Sequence, residues 1–153
     1  MNLRAIIEDK YKVAIKAKNN NEINTLRLIK SAIKDKDIAS RTGDKNQNIA
    51  DSEILSLLQN LIKQRKDSIE AFKAGGREDL ISIEKNEINI ISDFLPKQIS
   101  EDETEALIIN LIKENNFNSL RDMGNLMNEL KINHAGSIDM SLAGKIAKSK
   151  LGS

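Results

Sequence analysis

The feature that most constrains the fold is the spacing of the apolar residues, which recur every three or four positions along almost the whole chain. A central stretch shows this most clearly, with Ile54, Leu57, Leu58, Leu61 and Ile62 in one stripe. This period places apolar side chains on one face of an α-helix. No alternating strand pattern of useful length occurs, and one Pro and seven Gly are few for a turn-rich β fold. The sequence therefore predicts an all-α protein.

Breaks in the helical pattern predict two units. Pro96 cannot continue a helix, because it lacks the backbone N–H and clashes with the preceding turn. We therefore expect an N-terminal bundle of long helices over residues 1–95 and a small C-terminal three-helix unit over residues 99–153. A hinge is expected near residues 96–98.

Local signals predict where individual helices begin. Ser100 and Glu103 have the spacing of a capping box, in which each side chain bonds the other residue's backbone N–H. Asp51 or Ser52 is expected to cap the third helix. The polar stretch over residues 37–50 is typical of a mobile loop between the second and third helices.

The composition excludes several kinds of site. The chain has no Cys and one His, so neither a thiolate site nor a His-rich metal site is available. Aromatic residues make up only 3%, which argues against a platform for stacking bases. The net charge of +1 does not indicate a globally basic nucleic-acid binder. We expect no metal and no cofactor, and no catalytic residue can be identified.

The residues near the start of the sequence predict no targeting signal. Residues 1–9 lack the apolar stretch of a secretory signal, and Glu8 and Asp9 argue against a mitochondrial presequence. The longest apolar run, near residues 107–109, is far shorter than the roughly 20 residues that span a bilayer. We therefore expect a cytoplasmic protein without membrane contact.

Charge is unevenly distributed along the chain. Residues 63–77 carry five basic and two acidic residues, whereas residues 78–105 carry two basic and nine acidic ones. The basic group of the third helix, Lys63, Arg65 and Lys66, suits contacts with phosphates. An ordinary solvated helix face with ion pairs explains the same residues and is the commoner arrangement in so charged a helical protein.

Four regions of the chain together form a recognisable combination of motifs. They are residues 25–33 (TLRLIKSAI), residues 61–72 (LIKQRKDSIEAF) with 74–80 (AGGREDL), residues 94–98 (FLPKQ), and residues 122–127 (DMGNLM) with 136–143 (GSIDMSLA). The combination resembles the GatB/YqeY family, specifically its small stand-alone YqeY-like members. The resemblance implies an N-terminal helical bundle and a C-terminal three-helix unit. That second unit is similar to the tail domain of the B subunit of the glutamine-dependent aminoacyl-tRNA amidotransferase, which contacts tRNA.

The same resemblance implies candidate site residues. The positions in the family-like motifs that could contact RNA are Lys63, Arg65, Lys66, Arg77 and Lys97. Arg65 has a structural alternative, because its place on the apolar stripe suits an ion pair between helices. Gly124 and Gly136 are expected to permit close helix approach or a special backbone conformation.

The family is commonly assigned a carbon–nitrogen ligase activity with glutamine as amido donor. This chain has no length for a glutaminase subunit or for the kinase-like active site of the large complex, so the resemblance favours tRNA binding over catalysis. We therefore expect a tRNA- or RNA-associated helical accessory module, with an amidotransferase or another translation-related protein as partner. The alternatives are a non-catalytic protein-interaction adaptor without RNA binding and a genuine amidating enzyme.

Overall fold

The computed structural model describes residues 2–43 and 47–152. Within them it contains seven α-helices, one short 3₁₀ turn and no β-strand, so the prediction of an all-α fold is confirmed. The helices are α1 (Leu3–Ala17), α2 (Asn20–Ser40), α3 (Asp51–Ala74), α4 (Glu78–Ser92), α5 (Glu101–Asn115), α6 (Met123–Asn133) and α7 (Met140–Leu151), with the 3₁₀ turn at Leu120–Asp122. The chain divides between Leu95 and Pro96 into two compact units. A hinge at residues 96–98 stays a prediction.

The first unit consists of two helical hairpins. In the first hairpin α1 packs along α2, and in the second α3 packs along α4. The α3–α4 contact is the most extensive one between described helices, and α2 also touches both α3 and α4. The buried apolar residues of these helices are Leu3, Ile7, Ala14, Leu26, Ile29, Ile33, Ile54, Leu55, Leu58, Ile69, Ile81 and Ile91. Each large aliphatic side chain among them stabilises the fold by about 1.5–3 kcal/mol when it leaves water. The helical stripe in the sequence is therefore the surface that joins the hairpins.

The predicted loop between α2 and α3 is wrong in its first part, because α2 continues to Ser40. Asp37 is buried in this last turn, although a carboxylate in a polar stretch is ordinarily a surface group. Arg4 of α1 donates Nη1–H to Asp37 Oδ2 at 2.9 Å and Nη2–H to Oδ1 at 2.6 Å. The backbone N–H of Ile49 donates to the same Oδ1 at 2.9 Å. Residues 44–46 of the predicted loop lie outside the described residues.

The predicted cap of α3 is also wrong. α3 begins after Ala50, and none of the described side chains caps it. The Oδ2 atom of Asp51 instead accepts the backbone N–H of Leu3, the first residue of α1, at 3.2 Å. A carboxylate stabilises the start of whichever helix its oxygen reaches. The two residues are 48 positions apart, so local spacing does not reveal the pair.

The second unit packs α5, α6 and α7 around its own core. The buried apolar residues of that core are Ile108, Leu126, Leu130, Ile138, Ala143, Ala147 and Leu151. The predicted capping box is confirmed, since the Glu103 N–H donates to Ser100 Oγ at 3.1 Å and the Ser100 N–H donates back to Glu103 Oε1 at 3.4 Å. Asp139 caps α7 by accepting from the N–H groups of Ser141 and Leu142.

Candidate nucleic-acid interface

Lys63 and Lys66 are the exposed members of the basic group on α3. They lie three positions apart in the helix, so their side chains are neighbours on one face. Neither lysine forms an ion pair with any of the described residues. Their positive charge is therefore directed to solvent and is available to an anionic ligand.

Arg65 lies between these lysines in the sequence but faces α4. Its Nε–H donates to Glu87 Oε2 at 2.7 Å, and its Nη1–H donates to the Leu61 carbonyl one turn back at 3.0 Å. Only 11% of the Arg65 side chain is exposed. A phosphate could reach this guanidinium only by displacing Glu87, so the contact that the structure shows is the one between helices.

Arg77 is exposed, and its guanidinium forms an ion pair with the Asp79 carboxylate. The pair is bidentate, with Nε–H to Oδ1 at 3.2 Å and Nη2–H to Oδ2 at 3.1 Å. This hydrogen-bonded arginine holds the pKa of the Asp79 carboxyl below its usual range. Glu78 and Asp79 also place two acids in the first turn of α4, where they complement the positive end of the helix. The start of α4, which follows the turn formed by Gly75 and Gly76, therefore already has two carboxylates beside it. Their negative charge disfavours the binding of a phosphate there.

Lys97 is exposed, and it belongs to the second unit, whereas the other four candidates belong to the first. Next to it, the Gln98 side-chain amide donates to the carbonyls of Pro96 and Gly136. The bond to the Gly136 carbonyl links the segment before α5 to the turn before α7. Among the five candidates, the structure thus leaves two lysines of α3 and Lys97 facing solvent without an acidic partner in the described residues.

The two glycines singled out in the sequence differ in their surroundings. Gly136 is buried and has φ +79°, a left-handed backbone that other residues adopt only with strain. Gly124 lies near the start of α6, and a Cβ added there would meet no atom within 4 Å. The expected special backbone is therefore found at Gly136, while Gly124 provides neither that nor a close helix approach.

A second basic surface, on α7, was missed by the sequence reasoning. α7 contains Lys145, Lys148 and Lys150 and no acidic residue. Lys150 pairs with Glu105 of α5 at 3.0 Å, whereas Lys145 and Lys148 border an open groove. The sequence signal that could have indicated this surface is the presence of three lysines and no acidic residue within one short helix.

Nowhere in 2–43 and 47–152 do three or more His, Asp or Glu side chains converge in an arrangement that could hold a metal ion. Of the helices formed by these residues, none combines the length and apolar character needed to cross a membrane.

Comparison with known proteins shows where the sequence is shared. The family model of the Yqey-like protein matches residues 4–151. The "altered inheritance of mitochondria protein 41, mitochondrial" of Kluyveromyces lactis is 34% identical over 113 residues, which is 72% of this chain and 58% of the relative. The protein of the same name from Lachancea thermotolerans is 36% identical over 112 residues, with the same shares. The chain spans little more than half the length of these curated relatives.

The expectation of a cytoplasmic protein is wrong on this comparison, because both yeast relatives are named as mitochondrial proteins. The expectation rested on the residues at the start of the sequence. Of that stretch, residues 3–9 lie in α1, whose Leu3 and Ile7 are buried in the core of the first unit. Their pattern therefore reports helix packing and gives no information about the compartment.

The family match extends through both units, from the second residue of α1 to the last residue of α7. The two yeast relatives each exceed 30% identity and cover more than two thirds of the chain. The chain belongs to the YqeY-like family.

Proposed function

We propose that this chain is an RNA-associated accessory protein that binds tRNA through the exposed lysines of α3. The observation that carries the proposal is the pair Lys63 and Lys66, one helical turn apart, exposed and without acidic partners in the described residues. Each ammonium group that neutralises a phosphate releases condensed counterions, which makes binding favourable and dependent on salt. Two such groups on a rigid helix provide a preorganised contact with the RNA backbone.

The choice of tRNA rests on the family. The C-terminal unit resembles the tail domain of the amidotransferase B subunit, and that tail contacts tRNA. The names of the yeast relatives refer to the inheritance of mitochondria and to no substrate or reaction. We assign any carbon–nitrogen bond formation with glutamine to a partner amidotransferase or another translation-related protein, because the described residues of this chain form two small helical units.

The test is fluorescence anisotropy of labelled tRNA with the full chain at a low and a moderate salt concentration. We expect binding that weakens as salt rises. The double variant Lys63→Gln/Lys66→Gln should bind more weakly and should reduce the salt slope by about two, since each lost phosphate contact removes about one. Lys12→Gln/Lys16→Gln is the matched control, because these lysines are also exposed and lie one turn apart on α1, another helix of the first unit.

Two outcomes would contradict the proposal. The first is the absence of tRNA binding at low salt, which would favour the adaptor interpretation. The second is binding that the α3 variant and the control variant weaken equally, because the α3 lysines would then contribute only to the overall charge.

A further inference from the structure

An open groove of about 530 Å³ lies beside the C-terminal half of α7. Leu120 of the 3₁₀ turn is 50% exposed and provides its apolar wall. Lys145, Lys148, Ser149 and Gly152 line the remainder. A Cβ added at Gly152 would lie 2.9 Å from the Lys148 carbonyl oxygen and 3.8 Å from Leu120 Cδ2. The missing side chain at Gly152 therefore keeps this end of the groove accessible.

The charge of the groove is positive and is not neutralised within the described residues. Lys145 and Lys148 are exposed neighbours, one turn apart on α7, and neither forms an ion pair there. Lys150 shows what a lysine of this helix does when a carboxylate is within reach, because it binds Glu105 at 3.0 Å. The complement of the groove is thus an apolar side chain flanked by carboxylates.

An RNA strand is a poorer complement to this groove. None of the described aromatic side chains lines it, so an unstacked base would find no ring to stack on. A phosphate backbone could bind the lysines but would leave Leu120 in water. A peptide with an apolar anchor satisfies both features at once, since burial of an apolar side chain is the main contribution to such docking.

A second copy of this chain also fits less well. Its exposed apolar residue on an acidic helix is Ile83 of α4, which is 55% exposed. The acids one turn to either side of Ile83 are already occupied, Asp79 by Arg77 and Glu87 by Arg65. These acids would have to exchange their arginine partners to bind the lysines of α7.

We infer that the α7 groove docks an acidic amphipathic helix of a protein partner. An apolar residue of that helix packs on Leu120, and two of its carboxylates, one turn apart, bind Lys145 and Lys148. This surface is separate from the α3 lysines proposed to bind tRNA, and the two proposals can fail independently.

The test is selection from a displayed library of random helical peptides against the full chain, followed by anisotropy with the enriched peptides. We expect peptides with Asp or Glu one turn apart beside a large apolar residue. Their affinity should fall about tenfold or more for Leu120→Ser and for Lys145→Glu/Lys148→Glu. Lys113→Glu/Lys131→Glu, a charge reversal away from the groove, should leave it unchanged, and far-UV circular dichroism establishes that every variant is folded.

Three results would overturn this inference. Enriched peptides that bind the groove variants as tightly as the native chain would place docking elsewhere. A concentration-dependent dimer in light scattering that Leu120→Ser abolishes would make a second copy the occupant. Weakening of tRNA binding by tenfold in Lys145→Glu/Lys148→Glu, with no peptide enriched, would make the groove an RNA surface.

Discussion

The Nε–H of Arg65 donates to Glu87 Oε2 at 2.7 Å across the α3–α4 hairpin. The same guanidinium donates to the Leu61 carbonyl, and little of it remains accessible to solvent. The central residue of the basic group thus stabilises the hairpin, while its neighbours Lys63 and Lys66 face outward. One run of three cations therefore contains two different physical roles.

The first prediction separates these roles. Arg65→Gln should lower the free energy of unfolding by about 1 kcal/mol, because it removes a charged hydrogen bond from a partly buried site. It should leave the tRNA affinity of the folded protein unchanged. Urea denaturation and tRNA anisotropy measure the two effects. A double-mutant cycle with Glu87→Gln provides the control, and a coupling energy near zero would show that the pair contributes nothing to stability.

The second prediction concerns pH. The Arg4 guanidinium beside Asp37 holds the pKa of that carboxyl below its usual range, and the Ile49 N–H acts in the same direction. The stabilisation is therefore fully present above the carboxyl's ordinary pKa of about 3.9 and is lost as the pH falls through the lowered folded-state value. Asp37→Asn should destabilise the chain by about 2 kcal/mol at pH 7, since it removes the charge from a partly buried hydrogen-bonded pair.

The difference between Asp37→Asn and the native chain should shrink as the pH falls below about 4. Urea denaturation at a series of pH values measures it. Asp35→Asn is the control, because Asp35 is an exposed carboxylate of the same helix and should change stability little at any pH. A difference for Asp37→Asn that stays constant down to acidic pH would show that the carboxylate charge is not responsible.

The third prediction compares two glycines. Gly136→Ala should destabilise the second unit by about 1–2 kcal/mol, because its φ of +79° is strained for any residue with a Cβ. Gly124→Ala should be neutral or stabilising by about 0.5 kcal/mol, because alanine favours the helix and the added methyl group meets nothing. Thermal unfolding of both variants tests this, and the opposite order of stabilities would contradict it.

The fourth prediction tests the helix caps. Ser100→Ala should cost about 1 kcal/mol, since it removes the hydroxyl that accepts the Glu103 N–H at the start of α5. Ser52→Ala should change stability much less, because the Ser52 side chain does not cap α3. Hydrogen exchange at the first amides of α5 provides a local measurement. Equal protection of those amides in Ser100→Ala and the native chain would show that the capping box is dispensable.

Most of the fold follows from patterns within a few residues. The apolar period predicted the helices, and the Ser100–Glu103 spacing predicted a cap that the structure confirms. These succeed because a helix bonds residues three and four positions apart, so its signals are local. The same local reasoning failed at Asp37 and Asp51, whose partners Arg4 and Leu3 are distant in sequence.

In the candidate site, too, some features could be predicted from the sequence and others depend on the tertiary structure. The sequence identified the basic residues of the α3 region and the glycine in the turn before α7. It could not show that Arg65 and Arg77 form ion pairs with acidic residues. Which carboxylate lies next to each guanidinium depends on how the helices pack and on the conformation of the turn between them. It also gave no sign that Leu120 and α7 form one groove.

By itself, then, the sequence determined the helical class, the individual helices and their apolar faces, because these depend on side-chain period and on short-range backbone hydrogen bonds. Only the tertiary structure decided which charges remain available to a ligand. Packing brings Glu87 to Arg65 and leaves Lys63, Lys66, Lys145 and Lys148 facing water. A cation contributes to binding only where the fold has not already paired it with an acid.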